Sequence, residues 1–345
     1  MNEHPIVLTD PTLRDGSHAC SHQISEEQIR AYATSADISG LDYVEVGHGN
    51  GLGASSLQLG ESLVPERRML EIARDCLRKT KLSVHVMPGF ATIEREIKQA
   101  MDVGVDLFRV GSHCTEADVT QRHIGFVRTH GREAWGILMM THMASAEVLL
   151  EEAQKMQSYG AEGVVLMDSA GALFPHDVKA KVGLLAENLH IPVGFHAHNN
   201  LGMSVANSLA ALEAGARILD GTGRGFGAGA GNAPIELVVS AMRKLGYAMR
   251  VDFYQVLNLA DLAEKLFAGN MPVSNSVTVV SGLAGVFSGF AKPVQRISQQ
   301  MHVDPRDVFF ELGKRQVVGG QEDLILEVAS ALAKQRQNSK SSDPL

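Results

Sequence analysis

No stretch of this 345-residue chain approaches the roughly 18 consecutive apolar residues that cross a bilayer. Residues 1–9 also lack the charged-then-apolar pattern of a secretory leader, so the chain reads as cytoplasmic. Cysteine is scarce: Cys20, Cys76 and Cys114 form no C-x-x-C pair and cannot build a disulfide framework, which fits a reducing compartment and small apolar fillers. No block of like charge occurs, and 31 Lys+Arg against 39 Asp+Glu leave a net charge of -8. Nucleic acid is thereby excluded as a partner, because phosphate binding requires a basic face. What remains is the ordinary mix of a soluble globular protein, 45% hydrophobic and 20% charged. Its length suits one large α/β domain with an extension, or two domains.

Short β-branched or apolar runs alternate with amphipathic stretches of helical period, the mark of a parallel sheet built from βα units. Strands are expected at 6–9, 43–46, 82–87, 107–110, 134–139, 163–167, 192–198 and 217–220. Helices are expected at 25–39, 65–79, 92–103, 118–130, 145–159, 175–188, 203–214 and 232–245. Ser25 with Gln28 reads as a capping box, Ser145 as a bare cap, and Gly40, Gly104, Gly160 and Gly215 as helix stops. Eight βα units point to a TIM (β/α)8 barrel over residues 1–250, with a doubly wound open sheet as competitor. Beyond it the pattern becomes helical without strands over 251–334, including one helix at 283–300, and the polar residues 335–345 are expected to be disordered.

The densest chemistry lies in Phe195-His196-Ala197-His198-Asn199-Asn200. Side chains alternate along a strand, so His196 and His198 share a face and can share a metal ion. The asparagines end the strand, placing the pair at its carboxyl end, where parallel α/β folds carry their ligands. The first strand runs into Asp10-Pro11-Thr12-Leu13-Arg14-Asp15-Gly16-Ser17-His18, and Asp15 supplies a third ligand. One carboxylate and two imidazoles with positions left open suit a divalent ion that also holds substrate. Metal and Asp15 leave one positive charge and Arg14 adds another, a pocket for an anion with an adjacent carbonyl, such as a 2-oxo acid. His18 is an acid/base of suitable pKa. Asp10 either braces Arg14 or caps the turn.

These motifs, together with His196 to Ser208, Gly227-Ala228-Gly229-Ala230-Gly231-Asn232 and Val318-Gly319-Gly320-Gln321-Glu322-Asp323, resemble the 4-hydroxy-2-oxovalerate (4-hydroxy-2-oxopentanoate) aldolases. The likeness runs from Leu8 to about Val328. The wider superfamily of 3-hydroxy-3-methylglutaryl-CoA lyase and 2-isopropylmalate synthase is similar only at Arg14-Asp15-Gly16 and His196-x-His198, and Ser17-His18 points to the aldolase branch. The resemblance implies a class II aldolase, normally with Mn2+, that cleaves a 4-hydroxy-2-oxo acid to pyruvate and an aldehyde. It assigns the metal to Asp15, His196 and His198, enolate stabilisation to Arg14, and the C4 hydroxyl proton to His18. Ser169 resembles a substrate-carboxylate contact. An acylating aldehyde dehydrogenase is the implied partner, receiving the aldehyde through a channel near Gly319-Gly320, although a glycine pair is more often only a turn. Self-association stays open.

Absence supports the metal route, since no expected strand carries at its carboxyl tip the lysine a Schiff-base aldolase needs. The glycine-rich run 223–232 lacks the context of a dinucleotide site and reads as a flexible rim, with Asn232 a metal contact or a helix cap. His48, His113 and His142 follow strands as polar lining. A Claisen-type acyl-CoA lyase or acyltransferase shares the triad and is the alternative; a non-catalytic partner barrel is a third reading.

One departure stands out: Ala284-Gly285-Val286-Phe287-Ser288 has phenylalanine where the family usually has tyrosine. Phe287 keeps the ring and loses a hydrogen bond at the aldehyde end, near which Met87 is also expected. Sites built around such a bond discriminate strongly. Phe287→Tyr is therefore expected to tighten C4 stereoselectivity and shift aldehyde preference. Unchanged enantiomer ratios and aldehyde preference across a substrate panel would refute this.

Overall fold

Eight apolar runs become eight parallel strands that close in chain order: β1 (Val7–Leu13), β2 (Tyr43–Val46), β3 (Lys81–Val86), β4 (Leu107–His113), β5 (Glu133–Met139), β6 (Val164–Asp168), β7 (Val193–Ala197) and β8 (Ile218–Asp220). The computed structural model describes residues 6–341. Closure comes from β1 pairing β8, Val7 against Ile218 through Thr9 against Asp220, and leaves no strand edge open. The expected TIM barrel is thus the fold.

Between strands run α1 (Glu26–Ser39), α2 (Glu66–Cys76), α3 (Lys98–Val103), α4 (Gln121–Thr129), α5 (Ala146–Ser158), α6 (Pro175–Asn188), α7 (Ser204–Glu213) and α8 (Ile235–Lys244). Ser25 and Gln28 form the expected reciprocal capping box, and Gly40 ends α1 at φ 79°. The stretch read as a single helix over 92–103 opens as a π-helical turn, Ile93–Ile97, before α3.

Period two along the strands sorts the interior into layers. Outward positions such as Leu8, Val44, Leu82, Phe108 and Phe195 pack under the helices. Inward positions begin with an apolar floor of Tyr43, Leu107, Trp135, Ile137, Val165, Met167 and Ile218. Two residues further along the same strands come Glu45, Arg109 and Asp220, all fully buried. A dry charged layer therefore sits on the floor, towards the carboxyl ends.

Helix α9 (Phe253–Leu266) belongs to the barrel, because Val256, Leu259, Ala263 and Phe267 join its main core. The last four helices, α10 (Ser276–Leu283), α11 (Ala291–Met301), α12 (Pro305–Lys314) and α13 (Asp323–Ser341), enclose a second core that includes Phe290, Val294, Phe309, Leu312 and Ile325. The helix expected over 283–300 is broken: α10 ends at Leu283, and residues 284–290 cross towards the barrel mouth before α11 begins. Helix α13 continues to Ser341, so 335–341 are helical and not the expected disordered tail; 342–345 lie outside the described residues.

Asp10 does not brace Arg14. Its carboxylate accepts from Thr12 N at 2.8 Å, from the Thr12 hydroxyl and from Tyr32 Oη at 2.6 Å. Thr12 Oγ1 also accepts from Gly223 N at 2.9 Å, so this knot joins β1, α1 and the segment after β8. Burial outweighs these hydrogen bonds and pushes the Asp10 carboxyl up to about 6. An acid whose folded pKa exceeds its unfolded value, near 3.9, holds its proton more tightly when folded. Its contribution is full below about pH 4 and is lost as pH rises to about 6. Asp10→Asn should remove up to about 3 kcal/mol of that fall. Urea midpoints at pH 4, 5, 6 and 7 measure it, and parallel curves for both proteins would rule Asp10 out as the source.

Candidate active site

The β1 strand delivers Arg14 and a 3-10 turn, Asp15–His18, to the carboxyl end of the barrel, while β7 delivers His196 and the residue after it His198. Asp15, His196 and His198 come together with one ligand atom from each within 4.8 Å of the others, all buried. The two imidazole Nε2 atoms face each other at 3.4 Å. His196 Nδ1 lies 3.0 Å from Asp220 Oδ2, which assigns the proton to Nδ1 and leaves the Nε2 lone pair turned towards His198. Burial lowers His198 to about 4, keeping its ring neutral. Burial opposes the charged form of Asp15, but His198, Arg14 and His18 outweigh it and hold the carboxyl far below its ordinary range.

Does this donor set fit a cation? Asp15, Glu45 and Asp220 against Arg14 and Arg109 leave one net negative charge in a dry pocket. Two lone-pair nitrogens meet a carboxylate there, and the buried Asn232 Oδ1 has no hydrogen-bond partner. A divalent ion satisfies each of these; an apolar or anionic occupant satisfies none. Asn232 is not a helix cap, since α8 begins at Ile235 with Pro234 before it. Its Nδ2 donates to Asp15 Oδ2 at 2.8 Å.

The glycine-rich run is packed and not a flexible rim. Residues 225–228 are buried, and Ala228 N donates to Asp15 Oδ2 at 3.1 Å. A Cβ on Gly227 would stand 2.7 Å from that oxygen and 2.5 Å from Asn232 Nδ2, so only glycine lets the chain pass.

Arg14 is held on three sides. Nε donates to Glu45 Oε1 at 2.6 Å, and Nη1 to Asp15 Oδ1 at 2.9 Å and the Gly49 carbonyl at 3.1 Å. Nη2 is buried without a partner. His18 stands edge-on to Phe287, ring centroids 6.0 Å apart, and to His22 at 5.1 Å. No well-aligned hydrogen bond reaches its buried Nε2, although the ring lies against the Gly49 backbone, and burial lowers its pKa. Two unsatisfied polar groups beside the triad are the mark of a site built for an absent molecule.

Phe287 reaches His18 because the crossing segment is tied to the barrel loops. Ser288 N donates to the Ser169 carbonyl at 2.9 Å, Asn200 Nδ2 to Ser288 Oγ at 2.9 Å, and His142 Nε2 to the Gly285 carbonyl at 2.9 Å. Phe287, Met87, Ser169, Met139, Gly319 and Gly320 line one small, mostly apolar cavity. Ser169 Oγ accepts from Met140 N at 3.0 Å. His48 stacks on His22 at 3.7 Å, while His113 stands by Met143, its Nε2 3.5 Å from the sulfur.

Glu45, Arg109 and Asp220 are buried charged positions in contact with the site that the motifs did not reveal. Arg109 Nη1 lies 3.0 Å from Glu45 Oε2, an ion pair not aligned as a hydrogen bond, and Nη2 donates to Asp220. Their signal was a lone charge inside an otherwise apolar strand, repeated in β2, β4 and β8.

Comparison with known proteins follows this geometry. Residues 5–263 match the HMGL-like family model, and 272–334 match the DmpG-like communication domain. A 4-hydroxy-2-oxovalerate aldolase from Pectobacterium atrosepticum is 57% identical over 334 residues, covering 97% of each chain. Another from Spirochaeta aurantia is 55% identical, covering 96% of this chain and 97% of that one. The carboxyl transferase domain of Rhizobium etli pyruvate carboxylase superposes with TM-score 0.83 at 16% identity, over 97% of this chain and 61% of that one, a likeness of fold alone.

Chelator-treated protein should take up one divalent ion per chain, and His198→Ala or Asp15→Ala should abolish uptake. Gly227→Ala should weaken it by about tenfold, or about 1.4 kcal/mol. Titration calorimetry decides; wild-type affinity in all three variants would reject the triad.

Proposed function

The chain belongs to the family of the 4-hydroxy-2-oxovalerate aldolases, HMGL-like barrels with a DmpG-like communication domain, and from that membership we propose how its own residues cleave the substrate. It is a carbon–carbon lyase that splits a 4-hydroxy-2-oxo acid into pyruvate and a short aldehyde. The observation that carries the mechanism is the pair of buried, unpartnered atoms beside the triad, Arg14 Nη2 and His18 Nε2.

His18 Nε2 takes the C4 hydroxyl proton, its ring kept neutral by burial. The C3–C4 electrons pass to the C2 oxygen, and Arg14 Nη2–H donates to the charge that develops there. Glu45 and the Gly49 carbonyl keep the guanidinium in place while this happens. Protonation at C3 then completes pyruvate. Asp15, His196 and His198 are the residues that would hold a divalent ion, expected to be Mn2+. Such an ion supplies Lewis-acid withdrawal from the substrate carbonyl and positive charge for its carboxylate.

The carboxylate is assigned to Ser169, whose hydroxyl proton stays free while Oγ accepts from Met140 N. The aldehyde portion is assigned to the Phe287 and Met87 side of the cavity whose other side Ser169 lines. Gly319, beside the Phe287 ring, and Gly320 also line it, within the segment that matches the communication domain. An acylating aldehyde dehydrogenase docked on that domain is the partner that this arrangement serves.

With 4-hydroxy-2-oxopentanoate the protein should release pyruvate, and a chelator should stop it. His18→Ala should lower kcat by ~10²–10⁴ without changing metal affinity. Coupled pyruvate assays and metal titrations measure both. Activity only on acyl-CoA substrates would favour the Claisen-type reading, and undiminished turnover by the variant would remove His18 from the chemistry.

A further inference from the structure

Arg109 heads the fully buried side chains by volume, and its guanidinium is 0% exposed. An arginine withdrawn from water is costly, and a well-packed apolar side chain in the same space is commonly as stabilising or more so. Nothing in the cleavage asks Arg109 to touch substrate. Its surroundings give it a different task.

From β4 its two arms reach Glu45 on β2 and Asp220 on β8, the two strands that flank β1. Neither carboxylate is a spectator. Glu45 Oε1 receives Arg14 Nε, and Asp220 Oδ2, the atom that Arg109 holds, receives His196 Nδ1 at 3.0 Å. Five buried side chains are thus linked in one chain of contacts, Arg14, Glu45, Arg109, Asp220 and His196. One end carries the donor for the C2 oxygen, and the other is a metal ligand.

We propose that Arg109 is a positioning residue that couples the two halves of the site: through Asp220 it fixes the tautomer and angle of His196, and through Glu45 the plane of Arg14. The coupling rests on the aldolase assignment of those two ends. A planar fork can meet two carboxylates at fixed angles, which an ammonium cannot. Coupling of this kind is reciprocal, so a change at the Arg14 end must alter cation affinity at the His196 end.

The experiment uses the full chain and two readouts besides turnover, Mn2+ affinity by titration and thermal stability. Glu45→Gln touches Arg14 and no metal ligand, yet it should weaken Mn2+ binding at least threefold. Asp220→Asn should weaken it 10–100-fold, as removal of a ligand's partner does. Arg109→Lys should weaken it by about tenfold, and in the Arg109→Met background Glu45→Gln should have no further effect. Tyr32→Phe, a buried change away from these contacts, should lower the Tm and leave Mn2+ affinity alone. The coupling is overturned if Glu45→Gln binds Mn2+ as wild type does, if its effect persists undiminished in Arg109→Met, or if Tyr32→Phe weakens Mn2+ equally. Because Arg14 also bonds Asp15 directly, Glu45→Gln alone does not separate the two routes; should Arg109→Met fail to fold, Arg109→Lys serves as the background, and an undiminished Glu45→Gln effect there overturns the coupling. Wild type that binds Mn2+ but releases no pyruvate would overturn the aldolase reading and leave the coupling measurable; wild type that binds no divalent ion would overturn both.

Discussion

A carboxylate withdrawn from water must be matched, and at the centre of this barrel Glu45 is matched twice, by Arg14 and by Arg109. Burial alone would neutralise it; the two guanidiniums hold it ionised, its pKa near about 2. Much of the site follows from that charge. Arg14 Nε is claimed by Glu45, so its remaining nitrogens point at Asp15, at Gly49 and into the site. Below the charged layer lies the apolar floor, and burial at that depth strengthens the attraction within these pairs.

Asp15 imposes the second constraint. Every carboxylate oxygen is engaged, Oδ1 by Arg14, Oδ2 by Ala228 N and Asn232 Nδ2. Reaching Oδ2 with a backbone N–H requires the chain to pass within a Cβ's width of it, and this explains the run of small residues after β8. A stretch that looks like slack in the sequence is among the most tightly packed parts of the molecule.

Most of the barrel was legible because its strands are short, mainly apolar runs and several helices carry their stop glycines. His196 and His198 were legible for the same reason, since period two needs no tertiary knowledge. Glu45, Arg109 and Asp220 were not: one charge in an apolar strand resembles a solvent-facing position until closure turns three such strands inward to a common axis. The break at 284–290 was hidden differently. An apolar helical period continues across it; Gly285 ends α10 with a left-handed φ of 65°, and hydrogen bonds to Ser169, Asn200 and His142, distant in sequence, hold the segment at the barrel mouth. Asp10 could be placed on a turn by its neighbours, but its partner Tyr32 belongs to another element.

Those same three hydrogen bonds mean that the wall opposite His18 comes from one recognisable module and the catalytic groups from another. Residues 5–263 and 272–334 match separate family models, yet Phe287 of the second completes the pocket of the first. Recombination between relatives is therefore constrained at this seam. A chimaera that exchanges the helical module alone inherits a foreign residue against His18, so the aldehyde pocket proposed there would have to change in both modules together.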